Sequence, residues 1–411
     1  MTPPTPMLPP DAPVTDLTAL LSRPRASAPD SSGPRRVLVV YGTRPEAIKL
    51  APVVTALTTS STLTPVVAVT GQHRTMLDQV NGLFGIEPDV DLDVIRPRQE
   101  LHQLTGRVLN GLVEVLRKHR PDAVMVQGDT TTSFVAALAA FYEKVPVMHV
   151  EAGLRTRERY DPFPEEINRR LTSQLADLHL APTTAARDNL IHDGIPAEEI
   201  VVTGNTVIDA LLDVVDRRLP LQDPALQGLG DSPLVLVTSH RRESWGAPMA
   251  RTAAAVARLA GMFPQVRFVL PAHLNPTVRD VLLPPLAGLG NITVTEPLSY
   301  SDFAAVMAAS TLVLTDSGGV QEEAPGLGKP VLVLRETTER PEAVAAGTVR
   351  LVGTDEHRIV SETARLLTDT AAYDAMARAV NPYGDGHAAP RIRAAVEEFF
   401  GHGLRLPDWA A

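Results

Sequence analysis

The sequence predicts an α/β protein built from two doubly wound, Rossmann-like domains facing a central cleft. Three observations point there. From residue 35 onward, short runs rich in β-branched residues alternate with helical patterns. These runs are continuously apolar rather than alternating, as parallel strands covered on both faces must be. They also divide evenly about residue 205, giving two units of roughly 170 residues each, an ordinary domain size.

Taken in order, the strand candidates of the first half are Val37–Tyr41, Val66–Thr70, Ala123–Val126, Val145–Val150, Leu178–Ala181 and Ile200–Thr203. Those of the second half are Leu234–Ser239, Val266–Leu270, Ile292–Thr295, Leu312–Thr315, Val331–Leu334 and Val349–Val352. Residues 35–205 and 206–380 are therefore expected to form the two domains. Residues 381–411 carry a last helix near Pro390–Phe400, free to pack back on the first domain. Residues 1–34 hold nine of the 36 prolines, with Ser, Ala and Thr between them. Such a segment buries too little apolar surface to offset its ordering entropy, and a disordered tail is expected.

Composition narrows the function. Hydrophobic residues make up 44% of the 411 and charged residues 21%, a soluble globular balance. No apolar run approaches the ~18 residues that span a bilayer, and no basic stretch followed by an apolar one marks a secretory signal. The absence of cysteine excludes disulfides, thiolate metal sites and a cysteine nucleophile, and fits a cytoplasmic enzyme. A net charge of −10 disfavours a broad surface for nucleic acid or anionic membrane. An anionic small molecule would have to be held by a local site.

Open α/β sheets bind ligands beyond the carboxyl ends of their strands, and the polar residues cluster there. In the first half, GTRPEAIK (42–49), QGDTTT (127–132) and EAGLRT (151–156) follow strands. In the second, HRRE (240–243), PAHLNP (271–276) and DSGGVQEE (316–323) do the same. No G-x-G-x-x-G follows the first strand, and Gly328-Lys329 runs into Pro330, so neither a dinucleotide clamp nor a P-loop is present. His240 and Glu243 at His-x-x-Glu spacing, and the Asp89, Asp91, Asp93 alternation, are weak metal signals; no metal is expected.

Each candidate carries a chemical and a structural reading. Ser317, Gly318 and Gly319 open a helix whose free amides and dipole suit an anion, or they form a plain tight turn. Glu322 and Glu323 either cap that helix or accept hydrogen bonds from ribose hydroxyls. Arg340 either grips phosphate bidentately or is a surface charge in a Glu/Arg-rich loop. Arg44 and Lys49 either face an anion together or flank a solvated helix start. Asp129 is either a helix cap or an acid–base group. Glu151 ends a strand with nothing local to pair with, which favours a functional role. Glu165 and Glu166 sit at a probable helix start, where the dipole alone favours anions. His240 and His273 end two strands equivalently, which suggests a ligand or proton-transfer role.

Read together, GTRPEAIKLAP, GQHRTMLDQV, GDTTTSFVAALAAFY, HVEAGLRT, PFPEEINRRLT, TGNTVIDAL, HRRESWG, PAHLNP, LTDSGGVQEEAPGLGKPVLVLRETTERPEA and NPYGDGHAAPRI resemble the non-hydrolysing UDP-N-acetylglucosamine 2-epimerases over about residues 36–395. The resemblance implies a GT-B type fold and a cytoplasmic homodimer. It implies interconversion of UDP-N-acetylglucosamine and UDP-N-acetylmannosamine for surface-polysaccharide synthesis, with no metal or nicotinamide cofactor. It places Asp129, Glu151 and Glu165 as catalytic carboxylates, with His240 beside them. Arg44 and Lys49 fall near the phosphates. Phe303, Ser317, Gly318, Gly319, Glu323 and Arg340 match the UDP-binding set. Leu298 stands where some relatives have a glutamine that contacts uracil, leaving that contact to backbone groups. Two rival readings share parts of this pattern. A GT-B glycosyltransferase has no need of carboxylates at C2, and a hydrolysing epimerase would release UDP and free sugar.

Some bacterial members also carry a second UDP-N-acetylglucosamine site, which Gln72, His73, Arg98, Gln99, Arg241, Glu243 and His273 resemble. Substrate activation is therefore expected. Initial rates on UDP-N-acetylmannosamine alone should be low, and a trace of the other epimer should restore them; rates that ignore the trace would remove the second site.

Overall fold

The computed structural model describes residues 33–410 apart from 72, 73, 97, 229 and 231. The expected tail and the site candidates Gln72 and His73 thus fall outside the described residues, save Gly33 and Pro34 of the tail.

The first half alternates β1 (Arg35–Tyr41), α1 (Arg44–Thr58), β2 (Leu63–Val69), α2 (Arg74–Phe84), β3 (Val90–Asp91), α3 (Leu101–His119), β4 (Ala123–Gln127), α4 (Thr131–Tyr142) and β5 (Val147–Val150). It closes with α5 (Glu165–Leu175), β6 (Leu178–Ala181), α6 (Thr184–His192), β7 (Ile200–Val202) and α7 (Thr206–Asp216). The second half runs β8 (Leu234–Thr238), α8 (Ala247–Met262), β9 (Arg267–Pro271), α9 (Pro276–Leu282), β10 (Ile292–Thr295), α10 (Tyr300–Ala309), β11 (Leu312–Thr315) and α11 (Gly318–Gly326). Then come β12 (Val331–Val333), α12 (Pro341–Ala346), β13 (Val349–Leu351), α13 (Glu356–Thr368), α14 (Thr370–Ala377) and α15 (Ala388–Phe399).

The strands form two sheets, ordered β3-β2-β1-β4-β5-β6-β7 and β10-β9-β8-β11-β12-β13, with all neighbours parallel. The order reverses between β1 and β4 and again between β8 and β11. At such a switch point the loops from adjacent strands part in opposite directions and leave a crevice at the carboxyl edge. β1 and β8 lie in the interior of their sheets, with Val37–Tyr41 and Leu234–Val237 shielded on both faces.

All twelve expected strands form, within a few residues of their expected ends, and β3 is added. Asp91 lies in it and Asp89 and Asp93 flank it, all three on an exposed surface: Asp89 Oδ2 accepts the Val67 amide at 2.8 Å and Asp91 Oδ1 the Asp93 amide at 3.0 Å. β2 begins earlier than its apolar run because Pro65 lies where β3 leaves an edge, pairing only with Ala68 and Val69.

Helix α7 follows the first sheet yet joins both halves, packing on α1 as well as on α10 and α11. Helix α15 turns back onto α1 and α7. Asp209 of α7 anchors it. Its Oδ1 accepts the Ala389 amide at 2.8 Å and its Oδ2 the Ala388 amide at 3.2 Å, satisfying two of the amides a helix start leaves unpaired. Burial nevertheless raises the Asp209 carboxyl to about 6. Replacing it by alanine leaves both amides buried without partners. Asp209→Ala should cost ~1–3 kcal/mol in chemical denaturation and selectively lose amide-exchange protection at the start of α15; unchanged protection there would refute the anchor.

Candidate active site

The first-half wall is set by Glu46, buried at the third position of α1. Its Oε2 accepts the amides of Gly42 (3.0 Å) and Thr43 (2.7 Å), and its Oε1 accepts the Thr130 hydroxyl at 2.6 Å. This capping box fixes the start of α1 and ties it to the loop after β4, which carries Asp129. Only glycine fits at position 42, where a Cβ would stand 2.1 Å from Thr70 Oγ1. Helical spacing then places Lys49 one turn beyond Glu46, reaching Glu151 at the end of β5. The ammonium sits 2.5 and 2.7 Å from the two carboxylate oxygens.

Glu151 adopts a left-handed backbone, φ 60°, that a non-glycine residue holds only when its surroundings demand it. Gln127 Nε2 and Asn205 Nδ2 (3.0 Å) also donate to its carboxylate. Burial would raise this carboxyl, but Lys49, Arg340 and the Asn205 amide outweigh it and hold Glu151 below the usual carboxylate range. Asp129 is paired with Arg169 at 2.5 Å, and its carbonyl accepts from Asn168. Glu165 opens the helix that carries both partners. Its neighbour Glu166 is committed to structure, buried and accepting the Thr156 amide and hydroxyl and Arg169.

The second-half wall is organised by Asp316, fully buried at the end of β11. Its Oδ2 accepts the amides of His240 (2.8 Å) and Arg241 (3.0 Å) and the Ser239 hydroxyl, and its Oδ1 lies 3.4 Å from His240 Nδ1. His240 stacks against His273 with ring centroids 6.3 Å apart. Desolvation holds the His240 imidazole below its ordinary pKa, so it is neutral at neutral pH. Helix α11 then starts at Gly318 with Ser317 as its cap. A Cβ on Gly319 would meet no protein atom within 4 Å. The protein's own packing does not require glycine there, whereas close approach of a ligand to the helix amides would.

Between the walls lies a cavity of about 620 Å³. Arg44 and Lys49 line it from the first half. His240, His273, Leu298, Phe303, Ser317, Gly319, Glu323 and Arg340 line it from the second. Gly318 lies just behind the rim, beside Arg241. Glu151 is reached through Lys49. Arg340 also lines a second cavity of about 460 Å³, together with Arg169, the partner of Asp129.

Arg241 and Glu243 join an ionic cluster with Arg335 and Glu339, at separations of 3.1 to 4.0 Å. Arg98 and Gln99 stand apart before α3 and do not line the cavity; Gln99 accepts the Arg96 amide. Contributors not singled out from the sequence include Glu46, Asn205, Gln127 and Arg169. Asn205 and Gln127 end or follow strands, as Glu151 does, and that position was the available signal. Arg169 lies inside a helix and gives none.

The model of the UDP-N-acetylglucosamine 2-epimerase family matches residues 55–397. The chain belongs to this family. It is 52% identical to the UDP-N-acetylglucosamine 2-epimerase of Yersinia pestis over 88% of its length and 98% of the relative's. Against the enzyme of that name from Escherichia coli it is 50% identical, over 88% and 98%. Among solved structures it resembles the Neisseria meningitidis UDP-GlcNAc 2-epimerase bound to UDP-GlcNAc, with 47% identity and a TM-score of 0.80 over 88% of this chain and all of that one. The architecture is the two-domain GT-B type expected from the sequence. No helix among the described residues is long and apolar enough to cross a membrane.

Glu323 supplies a pH test of the site's electrostatics. Burial, then the neighbouring Glu322, raise its carboxyl from the ordinary 4.5 to about 7, while the Tyr300 hydroxyl donates to it at 3.3 Å. The folded state therefore holds this proton more tightly than the unfolded chain. Its stabilising contribution is full below pH ~4.5 and lost as pH rises through about 7. Glu323→Gln keeps the acceptor without the charge. It should stabilise the fold by ~1–3 kcal/mol at about pH 8.5 and hardly at about pH 5. Equal melting-temperature shifts at both pH values would contradict this assignment.

Proposed function

We propose that this chain interconverts UDP-N-acetylglucosamine and UDP-N-acetylmannosamine by eliminating and re-adding UDP. One observation carries the reading: Arg44, Lys49, Arg340 and the amino end of α11 converge on one cavity, and Lys49 is ion-paired to the buried Glu151. Cations and amides suit a departing diphosphate, and a carboxylate beside them suits proton transfer at the neighbouring sugar carbon.

The chemistry explains the residue types. The C2 proton is not adjacent to a carbonyl, so simple deprotonation leads to no stabilised carbanion. Removing it while the C1–O bond to UDP breaks gives a neutral glycal, UDP leaving with the bonding pair. Returning a proton to the opposite face of C2 as UDP re-adds at C1 completes the inversion. Asp129, Glu151 and Glu165, with His240, are the proton-transfer candidates. Arg44, Lys49 and Arg340 hold the diphosphate with the backbone at Ser317, Gly318 and Gly319. Glu323 accepts from the ribose hydroxyls, and Phe303 and Leu298 flank the base. The match to relatives named as 2-epimerases over nearly the whole chain supports the substrate, as does a Methanocaldococcus jannaschii enzyme solved with UDP-GlcNAc and UDP at 30% identity and a TM-score of 0.71.

The same reading places the protein in the cytoplasm as a homodimer. It also assigns a second UDP-sugar subsite to the set that includes Arg241, Glu243 and His273; of these three His273 lines the cavity, while Arg241 and Glu243 lie in the ionic cluster with Arg335 and Glu339.

Incubation with UDP-N-acetylglucosamine in deuterated water tests it. NMR should show both intact epimers with deuterium at C2. Free UDP accumulating would mean hydrolysis or transfer, and no exchange would exclude the mechanism. Asp129→Asn and Glu151→Gln should each lower turnover by ~10²-fold or more; full activity in either removes that residue from proton transfer.

A further inference from the structure

Asn205 stands between the two walls, only 2% exposed, at the cap of α7. Its Oδ1 accepts the Val207 amide at 3.1 Å, which fixes which way the side-chain amide points. Nδ2 is thereby turned to two carboxylates at once, Glu151 Oε1 at 3.0 Å and Glu322 Oε2 at 2.9 Å. The backbone is held as firmly: the Asn205 amide donates to the Tyr383 carbonyl at 2.6 Å. On the far side, Glu322 accepts Arg340 Nε, and on the near side Glu151 accepts Lys49. The result is one buried chain, Lys49–Glu151–Asn205–Glu322–Arg340, whose two ends line the cavity.

The two carboxylates are like charges, and the two hydrogens of one amide nitrogen give each of them its own donor at this distance. The donor also sets their separation, because an amide nitrogen with two hydrogens at fixed angles permits little freedom to either acceptor. Glu322 touches the cation that faces the diphosphate, and Glu151 is the candidate for proton transfer. The proposed function gives Glu322 no role, and a cap alone would need only the oxygen of Asn205.

We infer that Asn205 is a positioning residue for the reaction, whose side-chain amide holds Glu151 and Glu322 in register so that the proton-transferring and diphosphate-gripping sides of the site act on one sugar. This rests on the epimerase reading above. Two variants separate positioning from folding. Asn205→Ser keeps a good helix cap but cannot reach both carboxylates. Asn205→Asp keeps the shape but sets a third acidic group between two others, which favours their protonated forms.

Both should fold, as judged by circular dichroism. Asn205→Ser should lose ~10-fold or more in kcat with KM changed by less than ~3-fold, and Asn205→Asp should move the acidic limb of the kcat–pH profile upward by about one unit or more. Wild-type kcat in Asn205→Ser, or an unmoved acidic limb in a folded Asn205→Asp, overturns the inference. Should the aspartate variant not fold, the serine variant decides alone. The unmodified enzyme run alongside keeps the two claims distinct: without deuterium exchange at C2 there, the epimerase reading itself fails.

Discussion

A buried ion pair is a poor bargain unless its remaining hydrogen-bonding capacity is used, because desolvating two charges costs several kcal/mol per ion. The Lys49–Glu151 pair is the constraint around which this molecule is arranged. Lys49 sits on the first helix and Glu151 at the end of the fifth strand, 102 residues later. The connections after β1 and β5, on either side of β4 at the carboxyl edge of the sheet, and a left-handed φ at Glu151 bring them together. Gln127 and Asn205 then supply the donors that make the carboxylate tolerable in the interior. Neither charge would hold its place without the other.

That requirement explains features otherwise unrelated. The Glu46 capping box keeps Lys49 at its angle and, through Thr130, keeps the Asp129 loop beside it. Helix α7 must start where it does because its cap is the amide that serves Glu151. Helix α15 fastens α7 from behind through Asp209, so the end of the chain supports the centre of the site without touching it. The apolar cluster under α1, α7 and α11 is continuous from β1 to β11, so the two sheets share packing at the base of the cavity.

The strands were legible because most are short, continuous apolar runs rich in Val, Ile and Leu, as buried parallel strands must be. β3 was not, being two residues long, at an edge and flanked by aspartates that bond to backbone. The strand-end loops pointed to the cavity, since a doubly wound sheet leaves its carboxyl edge open. Arg44, Lys49, His240, His273 and Arg340 were found that way and line one space. The partners that make those residues useful were not. Asn205 reads as an ordinary helix cap and Arg169 as one charge among several on a helix. Their importance comes from side chains 54 and 40 positions away, which no local pattern encodes.

Glu322 and Glu323 show the same limit from within one helix turn. As sequence they are interchangeable, and each is nearly fully buried. Both line the cavity, but Glu322 also accepts from Arg340 and Asn205. Among the described residues Glu323 accepts from the Tyr300 hydroxyl alone, and burial, then the neighbouring Glu322, lifts its carboxyl to about 7. Moving either by one position would exchange those environments, since adjacent helical residues point about 100° apart. The role of an acidic residue here is therefore set by what its side of the helix meets, and the order of the two glutamates decides which is bridged to Asn205 and Arg340 and which has its carboxyl lifted by burial.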